Sequence, residues 1–478
     1  MQRTETTENS IRLINLLLLP GLLGIALSLL TNNVAMMGII VVAPLLFILC
    51  VQILKFPILL FYAIFIINYF IMGISRYSEI SGISVIVDVL LACTLVLIFI
   101  HTALLRNIEW KHAANILTLG SFIWLLYCLA EIYNPSGVLR GWVLSRGLAY
   151  YGFLISVIVA LLFNQYKWVK HLIFMIAIFS LIAVGKALMQ KSIGFDFAEA
   201  AWLDKGSYKT HLLSSGTRYF SFFTDAGNFG SNMGCAGIMF FIAALFVKNK
   251  GLKIFYAIVA VATTYAMFLS GTRGAMIVPL AGLALFAIVS KNVKILTASG
   301  VALIAIYSFF VFTDIGQSNQ LIRRMRTAFR PTADASFNVR KENQKTLAVH
   351  LKDKPFGEGL GLSGVENKDI SIRLTTMIPN DSWYVKIWVE TGIVGLILYL
   401  GMLFAAIGRG AWILMFKVKN KELKGILTGL LCGIFGMLIS AYGNPFWGQF
   451  PTMIFAFTGL ALVLKAEHFD KELEKQYN

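Results

Sequence analysis

Four polar segments interrupt an otherwise apolar chain, and their side chains are of types that hold anions and move protons. The first runs from Ser214 to Asn228. Its small residues let the backbone come close to a ligand, Arg218 can face an anion, and Asp225 or Asn228 can cap the helix that follows. Alone, it reads equally as a turn and a cap. The second, Leu269 to Ala275, breaks two apolar runs with Ser270-Gly271-Thr272-Arg273-Gly274. Irregular backbone at membrane depth is tolerated where it is buried in protein or lines a wet cavity, which puts Arg273 at a cavity wall unless it only snorkels to an interface. The third spans Gln320 to Gly361. Leu321, Ile322, Met325 and Phe329 recur at helical spacing opposite Arg323, Arg324, Arg326 and Arg330, the pattern of a basic amphipathic helix lying on headgroups or capping a bundle. A second helix over Asn338 to Leu351 carries Arg340 near its start and His350 near its end, and Pro355-Phe356-Gly357-Glu358-Gly359-Leu360-Gly361 stops it in a turn. The fourth, Pro379 to Gly395, leads into the next apolar run. There Asp381 can cap the helix or accept a hydroxyl proton.

The elements that hold these segments are membrane helices. Of 478 residues 58% are hydrophobic and 14% charged, with a mean hydropathy of +0.75, which excludes an ordinary soluble or disordered chain. Runs long enough to cross a bilayer fall at 11–31, 34–54, 56–73, 83–105, 115–132, 147–163, 168–190, 226–247, 252–270, 274–290, 294–313, 384–408, 424–441 and 450–465. The expected fold is one all-α polytopic membrane domain over 1–478 with about 14 transmembrane helices. The first run, preceded by Arg3 and Arg12, lacks a clear cleavage site and reads as an uncleaved helix. Five cysteines lie scattered in apolar runs and read as small core residues with no disulfide. A net charge of +17 without a basic soluble module argues against nucleic acid as a partner.

Lysine concentrates in alternate short loops, which the positive-inside rule places in the cytoplasm with both termini. The loops at 191–225 and 314–383 then face the other side, the second as a large periplasmic loop with short helices before the last three spans. Of 15 arginines, 11 fall on that outer side, against 10 of 26 lysines. The planar guanidinium suits bidentate recognition of phosphate or carboxylate, so the outer face is expected to handle an anion, unless the loop only carries surface charge. Asn68, Asp88, Glu131 and Lys186 sit in the outer halves of their helices at similar depth to Arg273. Ionisable groups there are costly unless paired or facing a cavity, so each is either a structural partner or a substrate contact.

Taken in order, the four segments resemble the bacterial O-antigen ligase and O-antigen polymerase superfamily. The shared features are an arginine ahead of a helix start (Arg218), a Ser-Gly-Thr-Arg-Gly break (Ser270 to Gly274), an arginine-led loop helix ending in Pro-x-Gly-x-Gly (Arg340 to Gly359), and a polar pair entering a helix with Glu-x-Gly-x-x-Gly (Glu390 to Gly395). The resemblance covers roughly 210–450, the expected ligase/polymerase-like core region; the N-terminal half matches only in hydropathy. It implies glycan transfer from an undecaprenyl-diphosphate donor to a hydroxyl of a growing polysaccharide, a lipid A core or a protein, at the periplasmic face of the bacterial inner membrane. Neither metal nor other cofactor is expected. The position where ligases of the family carry a catalytic histidine falls on Asp381, with Ser382 where asparagine is usual, and His350 is not at the matching place. The expected catalytic set is Arg218, Arg273 and Arg340 on the diphosphate with Asp381 on the hydroxyl, and Asp225, Asn228, Asn380, Ser382 and Glu390 are the expected substrate contacts. The competing readings are a transporter or flippase of lipid-linked oligosaccharide and a non-catalytic subunit of a polysaccharide assembly complex.

Overall fold

The computed structural model describes residues 47–477 apart from 79–81, 83, 106–107, 215 and 330–334. The expected span at 11–31 and most of that at 34–54 lie outside the described residues, as do Arg3, Arg12, Ser215 and Arg330. The helices, in chain order, are α1 (Ile58–Ser78), α2 (Ser84–Leu105), α3 (Ile116–Tyr133), α4 (Leu139–Leu162), α5 (Tyr166–Ser192), α6 (Ala226–Phe246) and α7 (Lys250–Leu269). They continue with α8 (Arg273–Val289), α9 (Val293–Phe312), α10 (Gln320–Arg326), α11 (Ala335–His350), α12 (Trp383–Phe416), α13 (Lys421–Ser440), α14 (Thr452–Leu464) and α15 (Ala466–Tyr477). Among the described residues 10 helices are long and apolar enough to cross a membrane, or 11 if α14 and α15, bent by 53°, count as one; α8 is a shorter apolar helix. A two-residue antiparallel pair, Leu212–Leu213 with Gly216–Thr217, interrupts the all-α architecture.

Asparagine starts many of these helices. The side chains of Asn115, Asn249, Asn292 and Asn420 accept hydrogen bonds from the first free backbone N–H groups of α3, α7, α9 and α13, so these polar loop residues fix where each helix begins. At the same end of the bundle, α14 stops at Lys465. Its ammonium donates to Ala160 O at 2.6 Å and to Asn164 Oδ1 at 3.2 Å, tying the bend to the end of α4.

The centre of the bundle is α6 packed against α7, α8 and α13. In α6 and α13 alike, 83% of the most apolar stretch is buried, against 11% for peripheral α9. Small residues make that contact possible: a Cβ at Gly429 would lie 2.5 Å from Met239 O, and one at Gly436 would lie 2.1 Å from Val278 O. With lipid no less apolar than a leucine side chain, such close backbone approach is what holds helices together. Cys128, Cys235 and Cys432 are buried in this core, as expected; Cys50 and Cys93 are exposed, and all five are free thiols.

The long loop docks onto a broken helix. Inside α12, Gly392 adopts φ +66°, ψ −173°. The Pro355–Gly361 turn fills the break, with Glu358 N donating to Val389 O (2.9 Å), Gly359 N to Glu390 O (3.0 Å) and Val394 N to Pro355 O (3.3 Å). The two glycine motifs are therefore complementary surfaces. A Cβ at Gly392 would lie 1.9 Å from Pro355 O. Gly392→Ala is expected to cost on the order of 1–3 kcal/mol from backbone strain alone, with the clash added to it, and to lower the thermal unfolding midpoint of the purified protein measurably.

Candidate active site

The ends of α7 and α13 and the starts of α6, α8, α12 and α14 meet beneath the long loop. Asp225 caps α6, its Oδ1 accepting from Gly227 N at 2.6 Å and Asn228 N at 3.0 Å. Asn228 is fully buried and latches α6 to the segment before α14: its Nδ2 donates to Phe450 O at 2.8 Å and its Oδ1 accepts from Thr452 Oγ1 at 2.7 Å. Thr272 Oγ1 donates to Ala226 O at 3.0 Å, and Ser440 Oγ donates to Gly274 O at 2.7 Å. The α7–α8 break is thus tied on both sides, and Arg273 leaves it at a fixed point.

Arginines from four separate segments gather on this platform. Arg218 donates to Thr210 O at 3.0 Å and to Thr272 Oγ1 at 2.8 Å, while its buried Nε has no partner. Burial pushes its guanidinium pKa down; the Asp225 carboxylate opposes this, and the nearby Arg273 and Arg340 charges push it further down. Arg273 donates to Thr327 Oγ1 at 3.1 Å. Arg340, near the start of α11, donates to Gly443 O at 3.2 Å and places its Nε 3.8 Å from Asp381 Oδ1. Burial raises the Asp381 carboxyl pKa above the ordinary range, and Arg340 pulls it partly back. The structure therefore brings together all four residues expected to be catalytic.

The fourth arginine, Arg324, belongs to the basic helix expected to lie on headgroups or to cap the bundle, and it reaches the platform: a Cβ at Gly271, itself at φ +56°, would lie 3.2 Å from Arg218 Cγ and 3.6 Å from Arg324 Nε. Arg326 departs from the amphipathic pattern. It is buried, donates to Ile315 O at 2.6 Å and lies over the Phe309 ring, closing the end of α9. Both arginines lie in the helix Gln320–Arg326, and the tighter turn Thr327–Phe329 follows it.

Around Asp381, the expected substrate contacts form a second tier. Asn380 Nδ2 donates to Ser363 Oγ (3.2 Å) and Glu366 Oε1 (3.0 Å). Ser382 is buried and its hydroxyl has no partner. Glu390 is fully buried, accepts from Ser363 Oγ at 2.5 Å and pairs with Lys386. His350 lies apart, 2.7 Å from Glu358 Oε1. Burial acts to raise the Glu358 pKa, but Lys354, His350 and Arg373 together outweigh it and lower it.

Each of the other polar residues at depth has a structural partner of its own. Asp88 accepts from Arg146 Nε at 2.9 Å and Tyr151 Oη at 2.6 Å. Glu131 accepts from Asn134 Nδ2 at 2.7 Å, and Asn68 donates to Pro451 O at 3.2 Å. Lys186 lies 2.8 Å from Asp196 and 3.0 Å from the buried Glu199. Two structural groups had no sequence signal. Arg76 donates to Ser221 O at 3.1 Å and lies over the Trp202 and Phe220 rings, and buried His211 Nε2 accepts from Ala226 N at 3.2 Å. Both fix the approach to Arg218. Among the described residues no group of three or more His, Cys, Asp or Glu side chains is placed to hold a metal ion.

Residues 258–400 match the family model described as O-antigen ligase. That stretch runs from α7 to the middle of α12; Arg273, Arg324, Arg340 and Asp381 fall inside it and Arg218, Asp225 and Asn228 outside, and the match supports the resemblance to the O-antigen ligase and polymerase superfamily. No curated protein matches the chain at a significant level. The family match supports an O-antigen ligase-like function of glycosyltransferase type, and the apolar helices point with it to a multi-pass membrane protein. Lys186→Ala would leave the buried Glu199 carboxylate with neutral donors, Gln190 Nε2 at 2.8 Å and Asp196 N at 3.1 Å, in place of the ammonium. The variant is expected to lose about 3 kcal/mol of stability, readable as a lower midpoint in thermal unfolding.

Proposed function

We propose that the protein transfers a glycan from an undecaprenyl-diphosphate donor to an acceptor hydroxyl, at a loop-bearing face that looks into the periplasm from the inner membrane. The observation that carries this reading is the convergence of Arg218, Arg273 and Arg340 beside Asp381. Guanidiniums held this close repel one another, and a diphosphate is an anion that removes the repulsion while meeting their planar donors. The acceptor oxygen attacks C1 of the donor sugar as the C1–oxygen bond to the diphosphate breaks. That electron pair stays on the diphosphate oxygen, where the arginines neutralise it, and the hydroxyl proton passes to the Asp381 carboxylate, which returns it to water.

Asp225, Asn228, Asn380, Ser382 and Glu390 act in this reading by holding the phosphate and hydroxyl sites apart and in register. The acceptor is a growing polysaccharide, a lipid A core or a protein. The cations supply the charge neutralisation that the leaving group needs, so transfer is expected to survive EDTA.

Purified protein, an undecaprenyl-diphosphate glycan and each candidate acceptor test the reading directly. Arg273→Ala and Arg340→Ala are expected to slow transfer on the order of a hundredfold or more at equal protein level; unchanged transfer would sink the proposal. The pH profile provides a second test. Only ionised Asp381 can take the proton, and its pKa is raised, so activity is expected to fall on the acid side with a midpoint above the ordinary carboxylate range. Lys substitution of Arg340 is expected to leave that midpoint nearly in place. Arg340→Ala, which removes the favourable charge, is expected to move it further up.

A further inference from the structure

Arg218 is held in a closed ring of hydrogen bonds, and one link of that ring is an imidazole. The Arg218 guanidinium donates to Thr210 O and Thr272 Oγ1, and its backbone N donates to His211 O at 2.8 Å. Thr272 Oγ1 donates in turn to Ala226 O, and Ala226 N returns to His211 Nε2 at 3.2 Å. The first backbone N–H groups of α6 have no partner within the helix. Asp225 takes those of Gly227 and Asn228, and His211 takes that of Ala226.

His211 is 3% exposed and meets the Trp202 and Phe220 rings edge-on, with ring centroids 5.1 Å away in each case. An imidazole nitrogen that accepts from an N–H carries no proton of its own. The ring proton is therefore on Nδ1, which lies 2.9 Å from Ser207 O and 2.9 Å from Thr210 Oγ1, both able to accept it. The charged groups that face the ring are Asp225, Arg218 and Arg76, the last reaching from α1 over the same two aromatic rings. Burial lowers the His211 pKa and the two guanidinium charges lower it further, while the bond to Ser207 O and the Asp225 carboxylate oppose them.

Resting on the transfer reading above, we propose that His211, as the neutral Nδ1–H tautomer, is a positioning residue that keeps Arg218 on the donor diphosphate. A proton on Nε2 would set two N–H groups against each other, open the ring at Ala226 and add a third cation beside Arg76 and Arg218. The Tyr208–His211 turn, which presents Thr210 O and His211 O to Arg218, would then lose its tie to α6. His211 acts through Arg218 and Ala226, so donor binding weakens in acid by a route separate from the carboxylate of Asp381.

The test is the binding of undecaprenyl diphosphate to the full-length protein in nanodiscs, followed by microscale thermophoresis, which requires no turnover. His211→Ala is expected to weaken binding about tenfold, through loss of one link of a buried ring. In His211→Gln the side-chain amide oxygen falls near the place of Nε2 and can accept from Ala226 N, so binding is expected to stay within about twofold of wild type. From about pH 7.5 to about pH 4.5 the wild type is expected to lose about tenfold more affinity than His211→Gln, because the titration of the ligand's own phosphates is common to both. Equal binding by His211→Ala and wild type, a His211→Gln protein as weak as His211→Ala, or the same acid response in wild type and His211→Gln would each overturn the proposal. If His211→Ala does not fold, the pH comparison of wild type with His211→Gln decides alone. Failure of the transfer reading would show separately and take this proposal with it: wild type would not bind undecaprenyl diphosphate, or Arg218→Ala would bind it as tightly as wild type.

Discussion

A helix broken inside a bilayer exposes backbone groups that only protein can satisfy, and the loop face is organised around one such break. At Gly392 the backbone of α12 opens, and the Pro355–Gly361 turn supplies the missing partners with its own N–H and C=O groups. The connection is backbone to backbone, so it fixes the loop without any particular side chain. It also sets two positions at once. The chain entering the turn is α11, which carries Arg340, and the chain leading into the break is the first half of α12, which follows Asp381. The 3.8 Å approach of these two side chains is a consequence of how the break is filled.

Electrostatics divides the same face in two. On the α6 and α8 side, arginines crowd together with few carboxylates, an arrangement that favours a polyanion. On the α4 and α12 side Arg146 is met by Asp88 and Lys386 by Glu390, and the Glu366 carboxylate accepts from the Asn380 amide. Both environments are built from the same few segments, and the change from one to the other falls within Asp381, Ser382 and Trp383.

Much of the architecture was legible in the sequence because length and hydropathy dictate what can cross a membrane. The Ser270–Gly274 break was legible for the same reason: polar backbone between two apolar runs needs burial or water. The partnerships were not. Asp88, Glu131 and Lys186 stood out by depth, and the hydropathy pattern does not say that Arg146, Asn134 and Glu199 lie opposite them. The burial of Arg326 was hidden because charge patterning along a helix does not say that Ile315 O and the Phe309 ring lie opposite it. The glycines at 357, 359 and 361 read as a turn, which they form, yet nothing local to them announces that the turn docks on Gly392.

The position of α6 bears on the order in which the bundle is made. One side of α6 is covered by α7, which follows at once, and another by α13, and Asn228 is satisfied by Phe450 and Thr452, 222 and 224 residues further along the chain. During synthesis these partners emerge after nearly everything else. For most of the time that the chain is entering the membrane, the face of its most central helix that carries Cys235, Met239 and Phe246 meets lipid or a temporary protein neighbour instead of the α13 glycines. Closure of the centre is then a late event that joins distant parts of the chain, and the arginine cluster, whose platform is tied to α13 and to the segment before α14, comes into being only at that final step.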